Sequence, residues 1–206
     1  ESDDSVSVIA VRADGPAWNV GGDLPEFRSR GTDSHEYILE IGKWINPDVS
    51  RHHETPKLTV ASVHGAVAGG GLGPMLACDF VIASEKTVFT LGYSKLATNP
   101  DAGVSWFLPR IVGNRIALEL YLTSERLSAG TAQELGLVNL VVSHESLEVE
   151  TGLWTERLSA LPAHAVASTK RLLQQSAGST LRDHAEAEIR SFAENTRNPD
   201  FAEGVR

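Results

Sequence analysis

The sequence contains a single cysteine, Cys78, among its 206 residues, so no disulfide can form within the chain. Because disulfides are typical of oxidising compartments, this composition predicts a cytoplasmic protein. Long apolar runs are also missing, since none approaches the roughly 18 residues that a membrane-spanning helix needs. The sequence therefore predicts no membrane association.

Positive charge is scarce as well. The chain has 18 lysines and arginines against 27 aspartates and glutamates, which gives a formal net charge of −9. An excess of negative charge repels phosphate backbones, so the sequence predicts no nucleic-acid partner. Internal repeats and low-complexity tracts are absent, and a chain of this length can bury a sizeable core.

Three common catalytic or nucleotide-binding motifs do not occur. Gly73 is followed by Pro74 and Met75, so the phosphate-binding sequence G-K-[ST] is absent. Gly69, Gly71 and Gly73 do not follow the G-x-G-x-x-G spacing of dinucleotide binding. No G-x-S-x-G nucleophile elbow is present. These glycines therefore predict neither a nucleotide site nor a serine hydrolase.

What the sequence does contain is a pair of glycine loops, each directly after a strand-like segment. LTVASV (58–63) leads into HGAVAGGGLGPMLACD (64–79), and VSVIAV (6–11) leads into GPAWNVGGDL (15–24). Backbone N–H groups that no side chain covers attract negative charge, especially where a helix begins. Two such loops in one α/β domain can direct their amides at one oxyanion.

The two loops resemble those of the crotonase (enoyl-CoA hydratase/isomerase) superfamily. The resemblance rests on AWNVGGDL (17–24), on HGAVAGGGLGPMLACDFVIAS (64–84) and on the nearly continuous stretch 95–142. It implies an α/β fold of the ClpP/crotonase type, in which β-β-α units form a spiral that is followed by a C-terminal helical region. It also implies assembly as a homotrimer or a dimer of trimers.

The resemblance further implies acyl-CoA thioester substrates, with coenzyme A as part of the substrate and no separate cofactor. Members of the family stabilise an enolate at the thioester oxygen with two backbone N–H groups, which correspond here to Gly22 and Gly70. Hydratases of the family use two glutamates, whose positions are occupied here by Gly73 and Tyr93. Neither residue can activate water as a carboxylate pair does, so hydration by that mechanism is not expected.

Asp101, in the segment NPDAG (99–103), is the candidate catalytic base. The resemblance implies a proton-shuttling acid in this loop for some isomerases, and one acid that removes and returns a proton suffices for a double-bond shift. Asp101 also precedes an apolar helical run, where it is a good helix N-cap. The two roles are compatible, and both stay open at this point.

Tyr93 is the second catalytic candidate. A tyrosine at a hydratase-glutamate position can donate a proton to a leaving group or a carboxylate. It can equally be a core aromatic residue in the strand-like segment FTLGY (89–93). Both interpretations remain open from the sequence.

Other polar residues favour structural roles. We interpret His64 as a structural histidine and Asp23 as a capping residue. The run His52-His53-Glu54 lacks the spacing of metal ligands, so it predicts a polar surface loop and no metal site. Cys78 follows an apolar segment, which predicts a buried, small apolar side chain.

The periodicity predicts an α/β core over residues 1–142 and a helical region over 143–206. Helices are predicted at 35–45, at 114–124 with Asn114 as its cap, after the capping residue Ser128, and near 145–160, 163–176 and 181–196. The chain begins at Glu1, in the middle of the family pattern, which predicts that a first β-β-α unit is missing.

The sequence therefore predicts an acyl-CoA-processing enzyme, with a double-bond shift ahead of hydration. In this mechanism the thioester carbonyl binds between the amides of Gly22 and Gly70 while Asp101 moves a proton. The alternatives are hydration, hydrolysis or decarboxylation without the glutamate pair, or a non-catalytic relative. An Asp101 side chain bonded only to amides of its own helix would favour the non-catalytic alternative.

Overall fold

The computed structural model describes residue 3 and residues 5–206, so residues 1, 2 and 4 of the predicted core lie outside the described part. The described residues contain seven strands in two sheets. The larger sheet is parallel throughout, with the order β1 (Val8–Val11), β2 (Leu58–Val63), β4 (Phe80–Ser84) and β7 (Leu140–Val142). The smaller sheet contains β3 (Ala66–Ala68), β5 (Val88–Thr90) and β6 (Leu127–Ser128), of which only β6 runs antiparallel.

The chain alternates between these sheets, and this alternation produces a spiral. Strands β2 and β3 lead into helix α3 (Leu72–Leu76), and strands β4 and β5 lead into helix α4 (Val104–Val112). An earlier turn consists of β1, a parallel bridge between Asn19 and Val67, and helices α1 (Leu24–Arg30) and α2 (Ser34–Glu54). The predicted spiral of β-β-α units is confirmed.

The core fills the spaces that the spiral leaves between its layers. All six residues of β2 are buried, as expected for a parallel strand covered on both faces. Phe89, Met75 and Leu108 lie in the main core cluster between the sheets and helices α3 and α4. A second cluster around Val60 and Ile82 faces the C-terminal helices.

The C-terminal helices follow the predicted pattern closely. They are α5 (Asn114–Thr123), α6 (Ala129–Glu134), α7 (Leu147–Ser159), α8 (Ala163–Ser176), α9 (Leu181–Asn195) and α10 (Pro199–Gly204). Helix α7 packs directly on β1, β2 and β4, so it covers the outer face of the larger sheet.

Within the described residues no helix is both long and apolar enough to cross a bilayer. The domain boundary at residues 142 and 143 stays a prediction.

Three local predictions are wrong. Helix α2 extends from Ser34 to Glu54, well beyond the predicted 35–45. Pro47 lies inside the helix and does not end it. The helix therefore includes His52, His53 and Glu54 in its last turn, where a surface loop was expected. Asn114 is the first residue of α5 and not its cap, which is Gly113 with φ +81°. The predicted cap Ser128 is confirmed, since its side chain accepts the N–H of Thr131.

Candidate active site

The two glycine loops lie side by side because the segments before them pair. Asn19 bridges to Val67, so the chain leaves both segments in the same direction. A methyl group at Gly21 would lie 3.0 Å from the carbonyl oxygen of Ala68 and 3.0 Å from the amide nitrogen of Gly70. The loops are therefore in contact backbone to backbone, and side chains at this contact would separate them.

Two backbone donors remain available where the loops meet. Gly70 belongs to the 3-10 turn Gly69–Gly71 that precedes α3, and the first N–H groups of a helical turn have no partner within it. The N–H of Gly22 donates to no acceptor in residues 3 and 5–206. Neighbouring donors without internal partners form a site that an oxyanion can occupy.

Asp101 reaches this site from the loop before α4. A methyl group at Gly70 would lie 2.9 Å from Oδ1 of Asp101 and 3.5 Å from Oδ2, so the carboxylate sits directly against the glycine. The O–H of Tyr93 donates to Oδ1 at 2.7 Å. Oδ2 accepts no hydrogen bond from the described residues and remains available to a bound molecule.

Asp101 does not cap helix α4, so the capping interpretation is wrong. The helix begins at Val104, its cap is Gly103 with φ +77°, and no side chain caps it. Ala102 also has a positive φ, of +48°, and the two left-handed residues turn the chain between Asp101 and the helix. The carboxylate is thereby directed towards Gly70 and Tyr93.

Tyr93 is a buried aromatic residue, although not in a strand. Strand β5 ends at Thr90, and Gly92 with φ +71° turns the chain into the 3-10 segment Tyr93–Leu96. The residue is only 6% exposed. Burial, followed by the hydrogen bond to Asp101 and its charge, raises the pKa of Tyr93 far above its usual range. The phenol is therefore a permanent donor at neutral pH.

Gly73 stands where the resemblance places a hydratase glutamate, and the structure leaves no room for a side chain there. A methyl group would lie 2.0 Å from the carbonyl oxygen of Ala102 and 2.9 Å from its Cβ. The position is filled by the backbone of the loop that contains Asp101.

A cavity of about 510 Å³ lies next to Asp101, between helices α2 and α4. His53, Trp106 and Phe107 form one of its walls, with ring centroids 4.8 to 5.2 Å apart in edge-to-face contacts. The same three rings also line a larger, more apolar cavity of about 900 Å³. Burial and the nearby charge of Lys170 lower the pKa of His53, which favours its neutral form. Sequence reasoning did not predict that His53 lies beside Trp106 and Phe107, because α2 and α4 are brought together only by the fold.

Asp23 and His64 hold the structural roles predicted for them. The side chain of Asp23 caps α1 by accepting the N–H of Glu26 at 3.1 Å. Nε2 of His64 lies 2.8 Å from the carbonyl oxygen of Gly15. Cys78 is partly buried, and burial raises the pKa of its thiol to about 12. Among the described residues no cluster of histidine, cysteine and carboxylate side chains could hold a metal ion.

The β-β-α spiral thus brings two glycine loops into contact beside the carboxylate of Asp101. Residues 1–206 match the family model described as enoyl-CoA hydratase/isomerase. The chain belongs to this family, which confirms the crotonase resemblance.

Relatives of known name have diverse activities. The chain is 31% identical to 4-chlorobenzoyl coenzyme A dehalogenase-1 of an Arthrobacter species, covering 98% of this chain and 74% of the relative. It is 32% identical to trans-2-decenoyl-[acyl-carrier-protein] isomerase of Streptococcus mutans, covering 100% and 79%. Among solved structures, an enoyl-CoA hydratase from Polaromonas sp. JS666 superposes with a TM-score of 0.92 at 30% identity, covering 98% and 79%.

Proposed function

We propose that the protein shifts a double bond in acyl-CoA thioesters, with Asp101 as the proton-transferring base. One observation carries the proposal: the Asp101 carboxylate lies against Gly70, held at Oδ1 by Tyr93 and open at Oδ2. This side chain is not bonded to amides of its own helix, which was the arrangement expected of a non-catalytic relative.

In the proposed reaction the thioester carbonyl oxygen accepts the N–H groups of Gly22 and Gly70. These donors stabilise the enolate that forms when a carbon-bound proton leaves, and each is worth about 2.7–4 kcal/mol. Oδ2 of Asp101 takes that proton and returns it to another carbon of the conjugated system. Coenzyme A enters as part of the substrate, and the steps require no separate cofactor.

Hydration is less well supported. Gly73 provides no carboxylate, and Tyr93 stays protonated, so neither position supplies a base for water. The description of the family names both hydratases and isomerases. The carboxylate of Asp101 beside Gly70 favours isomerase activity. Assembly as a homotrimer or a dimer of trimers and a cytoplasmic location remain part of the proposal.

Hydrolytic dehalogenation of an aromatic acyl group is the second candidate. It is favoured by the free Oδ2 of Asp101 beside the ring wall of His53, Trp106 and Phe107. A carboxylate can act as a nucleophile. Oδ2 would add to the ring carbon, halide would leave with its electron pair, and water would hydrolyse the resulting aryl ester to regenerate Asp101. The similarity to a 4-chlorobenzoyl coenzyme A dehalogenase supplies the substrate to test.

The first experiment compares the wild type with Asp101→Asn on 3-enoyl-CoA, 2-enoyl-CoA and 4-chlorobenzoyl-CoA. We expect spectrophotometric double-bond migration by the wild type and a fall in kcat of about 10²–10⁴-fold in the variant, the usual range for a lost general base. Acyl-CoA binding should persist, because the backbone donors are unchanged. Asp33→Asn, an exposed aspartate with no capping hydrogen bond, is the matched control.

Each other result contradicts the isomerase proposal in its own way. Hydration that survives the substitution would mean that water is activated elsewhere. Chloride release that is lost in the variant would establish the dehalogenase candidate. Binding without any turnover would indicate a site that has lost its chemistry.

A further inference from the structure

Gly73 lies where helix α3 meets the loop that contains Asp101, and a side chain there would collide with Ala102. We infer that Gly73 is a positioning residue: it lets the loop of residues 101–103 settle on helix α3 and so holds Asp101 over Gly70. The inference rests on the proposed function of Asp101. It gives the glycine a role that its place in the hydratase pattern does not suggest.

The contact between Gly73 and the loop is made by backbone atoms. A methyl group at Gly73 would lie 2.0 Å from the carbonyl oxygen of Ala102, whereas ordinary contacts begin at 3.4 Å. A flexible side chain could rotate away, but a carbonyl in a turn cannot. Any residue larger than glycine must therefore push the loop and α3 apart by more than about 1 Å, in an interior that transmits strain.

The loop is constrained on its other side as well, so it has to move as a unit. Ala102 is only 5% exposed and holds a φ of +48°. A methyl group at Gly103 would lie 2.9 Å from the ring of Phe107. The N–H of Val104 donates to the carbonyl oxygen of Asp101 at 2.9 Å. A displacement at Ala102 therefore carries Asp101 with it.

The position of Asp101 also depends on the glycine beneath it. Oδ1 of Asp101 would be 2.9 Å from a methyl group at Gly70, so the carboxylate occupies the space of a missing side chain. Gly70 thus leaves space for the carboxylate of Asp101, and Gly73 leaves space for the loop that contains Asp101. It follows that an acid at position 73 and the observed position of Asp101 exclude each other.

The test is Gly73→Ala, assayed with whichever of 3-enoyl-CoA, 2-enoyl-CoA and 4-chlorobenzoyl-CoA the wild type converts. A displacement of about 1 Å predicts a fall in kcat of about 100-fold, while the Kd for acyl-CoA stays nearly unchanged. This split separates positioning from general damage, which would weaken binding and kcat together. The matched control is Gly152→Ala in α7, where a methyl group meets nothing within 4 Å, and both constants should stay at wild-type values.

Ala102→Gly provides a second variant that does not strain the fold, since glycine adopts a positive φ readily. It removes the Cβ that packs against Gly73 and loosens the loop, so we expect a fall in kcat of about 10-fold with unchanged binding. Gly73→Glu should lose the double-bond shift without gaining hydration, because the new side chain displaces the loop.

The inference is overturned if Gly73→Ala folds and retains the wild-type kcat while Asp101→Asn is inactive. It is also overturned if Gly73→Ala loses binding and turnover together while Ala102→Gly is fully active, since Gly73 would then be purely structural. Hydration gained by Gly73→Glu with the Asp101 reaction intact would have the same consequence. If Asp101→Asn itself is fully active, the proposed function fails instead.

Discussion

Tyr93 donates its only O–H to Oδ1 of Asp101, and this hydrogen bond leaves Oδ2 as the oxygen available for the proposed proton transfer. The bond is 2.7 Å long and joins a buried phenol to a carboxylate. Hydrogen bonds to charged groups are stronger than those between neutral groups. The hydrogen bond from Tyr93 therefore fixes the orientation of the Asp101 carboxylate.

Tyr93→Phe keeps the ring and removes the donor. Without this donor the carboxylate is no longer held in one orientation, and a misplacement of about 1 Å can cost about 100-fold in rate, so we expect kcat to fall by roughly 10- to 100-fold. The free energy of unfolding should change little, because the accessible Asp101 carboxylate can bind water instead. Steady-state kinetics and urea unfolding measure the two effects. An unchanged kcat would show that Asp101 does not need this partner.

Tyr121→Phe is the matched control for that substitution. The Tyr121 ring centroid lies 6.3 Å from that of Tyr93, but its buried hydroxyl has no hydrogen-bond partner in the described part of the chain. Removing it should leave kcat unchanged and keep or slightly raise the free energy of unfolding.

At the residue scale the sequence supplies candidate residues but not the contacts between them. The family resemblance points to Gly22, Gly70 and Asp101 because it depends on local motifs. The contact between Gly73 and Ala102 has no local signal, since it depends on how two turns of the spiral stack. From the sequence alone, Gly73 indicates only that one of the two glutamates used by hydratases of the family is absent.

Secondary-structure elements are predicted well where burial dominates and less well where turns decide. The apolar run of β2 has the predicted bounds, 58–63. The predicted strand 89–93 ends early because Gly92 adopts φ +71° and places Tyr93 in a 3-10 turn. Helix α2 exceeds its predicted length because burial of Val49 and His53 against α4 is a tertiary effect.

Helix α8 is joined to the core by a buried ion pair. Nζ of Lys170 donates to Oδ2 of Asp79 at 2.7 Å and to the carbonyl oxygen of Lys57 at 3.0 Å. The same Asp79 oxygen accepts the N–H and the hydroxyl of Thr59. The lysine side chain is only 7% exposed, so the pair links α8 to the start of β2 and β4 away from water.

Lys170→Met should destabilise the protein by about 3–5 kcal/mol, because it leaves a buried carboxylate without its counter-charge. Urea unfolding of the variant and the wild type measures the difference. The double variant Asp79→Asn with Lys170→Met should recover much of the loss, since no unpaired charge remains. Equal losses in the single and double variants would show that the charges matter less than the packing.

The whole molecule leaves an apolar surface on its C-terminal helices. On α9, Leu181 is 86% exposed, Ile189 is 65% exposed and Phe192 is 60% exposed. The ring of Phe192 meets that of Phe201 on α10 with centroids 6.2 Å apart, which extends the patch. Contiguous apolar surfaces of this kind are typical of protein interfaces. The patch fits the proposed homotrimer or dimer of trimers.

We therefore expect sedimentation velocity to give a trimer or hexamer for the wild type and a smaller species for Phe192→Asp. The control is Val149→Asp, which makes the same change at an exposed apolar residue of α7. A monomeric wild type at micromolar concentration would contradict the proposed assembly. Dissociation by the control alone would place the interface on α7.

The backbone contact between the glycine loops divides the site into a part that cannot vary and a part that can. A methyl group at Gly71 would lie 2.4 Å from the carbonyl oxygen of Asn19, so the donors are fixed by positions that tolerate no side chain. Across the cavity, Asn46, Ser50 and Ser105 are exposed and free to differ. For protein engineering, the two glycine loops form a fixed scaffold for the proposed oxyanion site, and the opposite wall of the cavity can be exchanged. New substrates are best sought by randomising that wall while every glycine of the loops is kept.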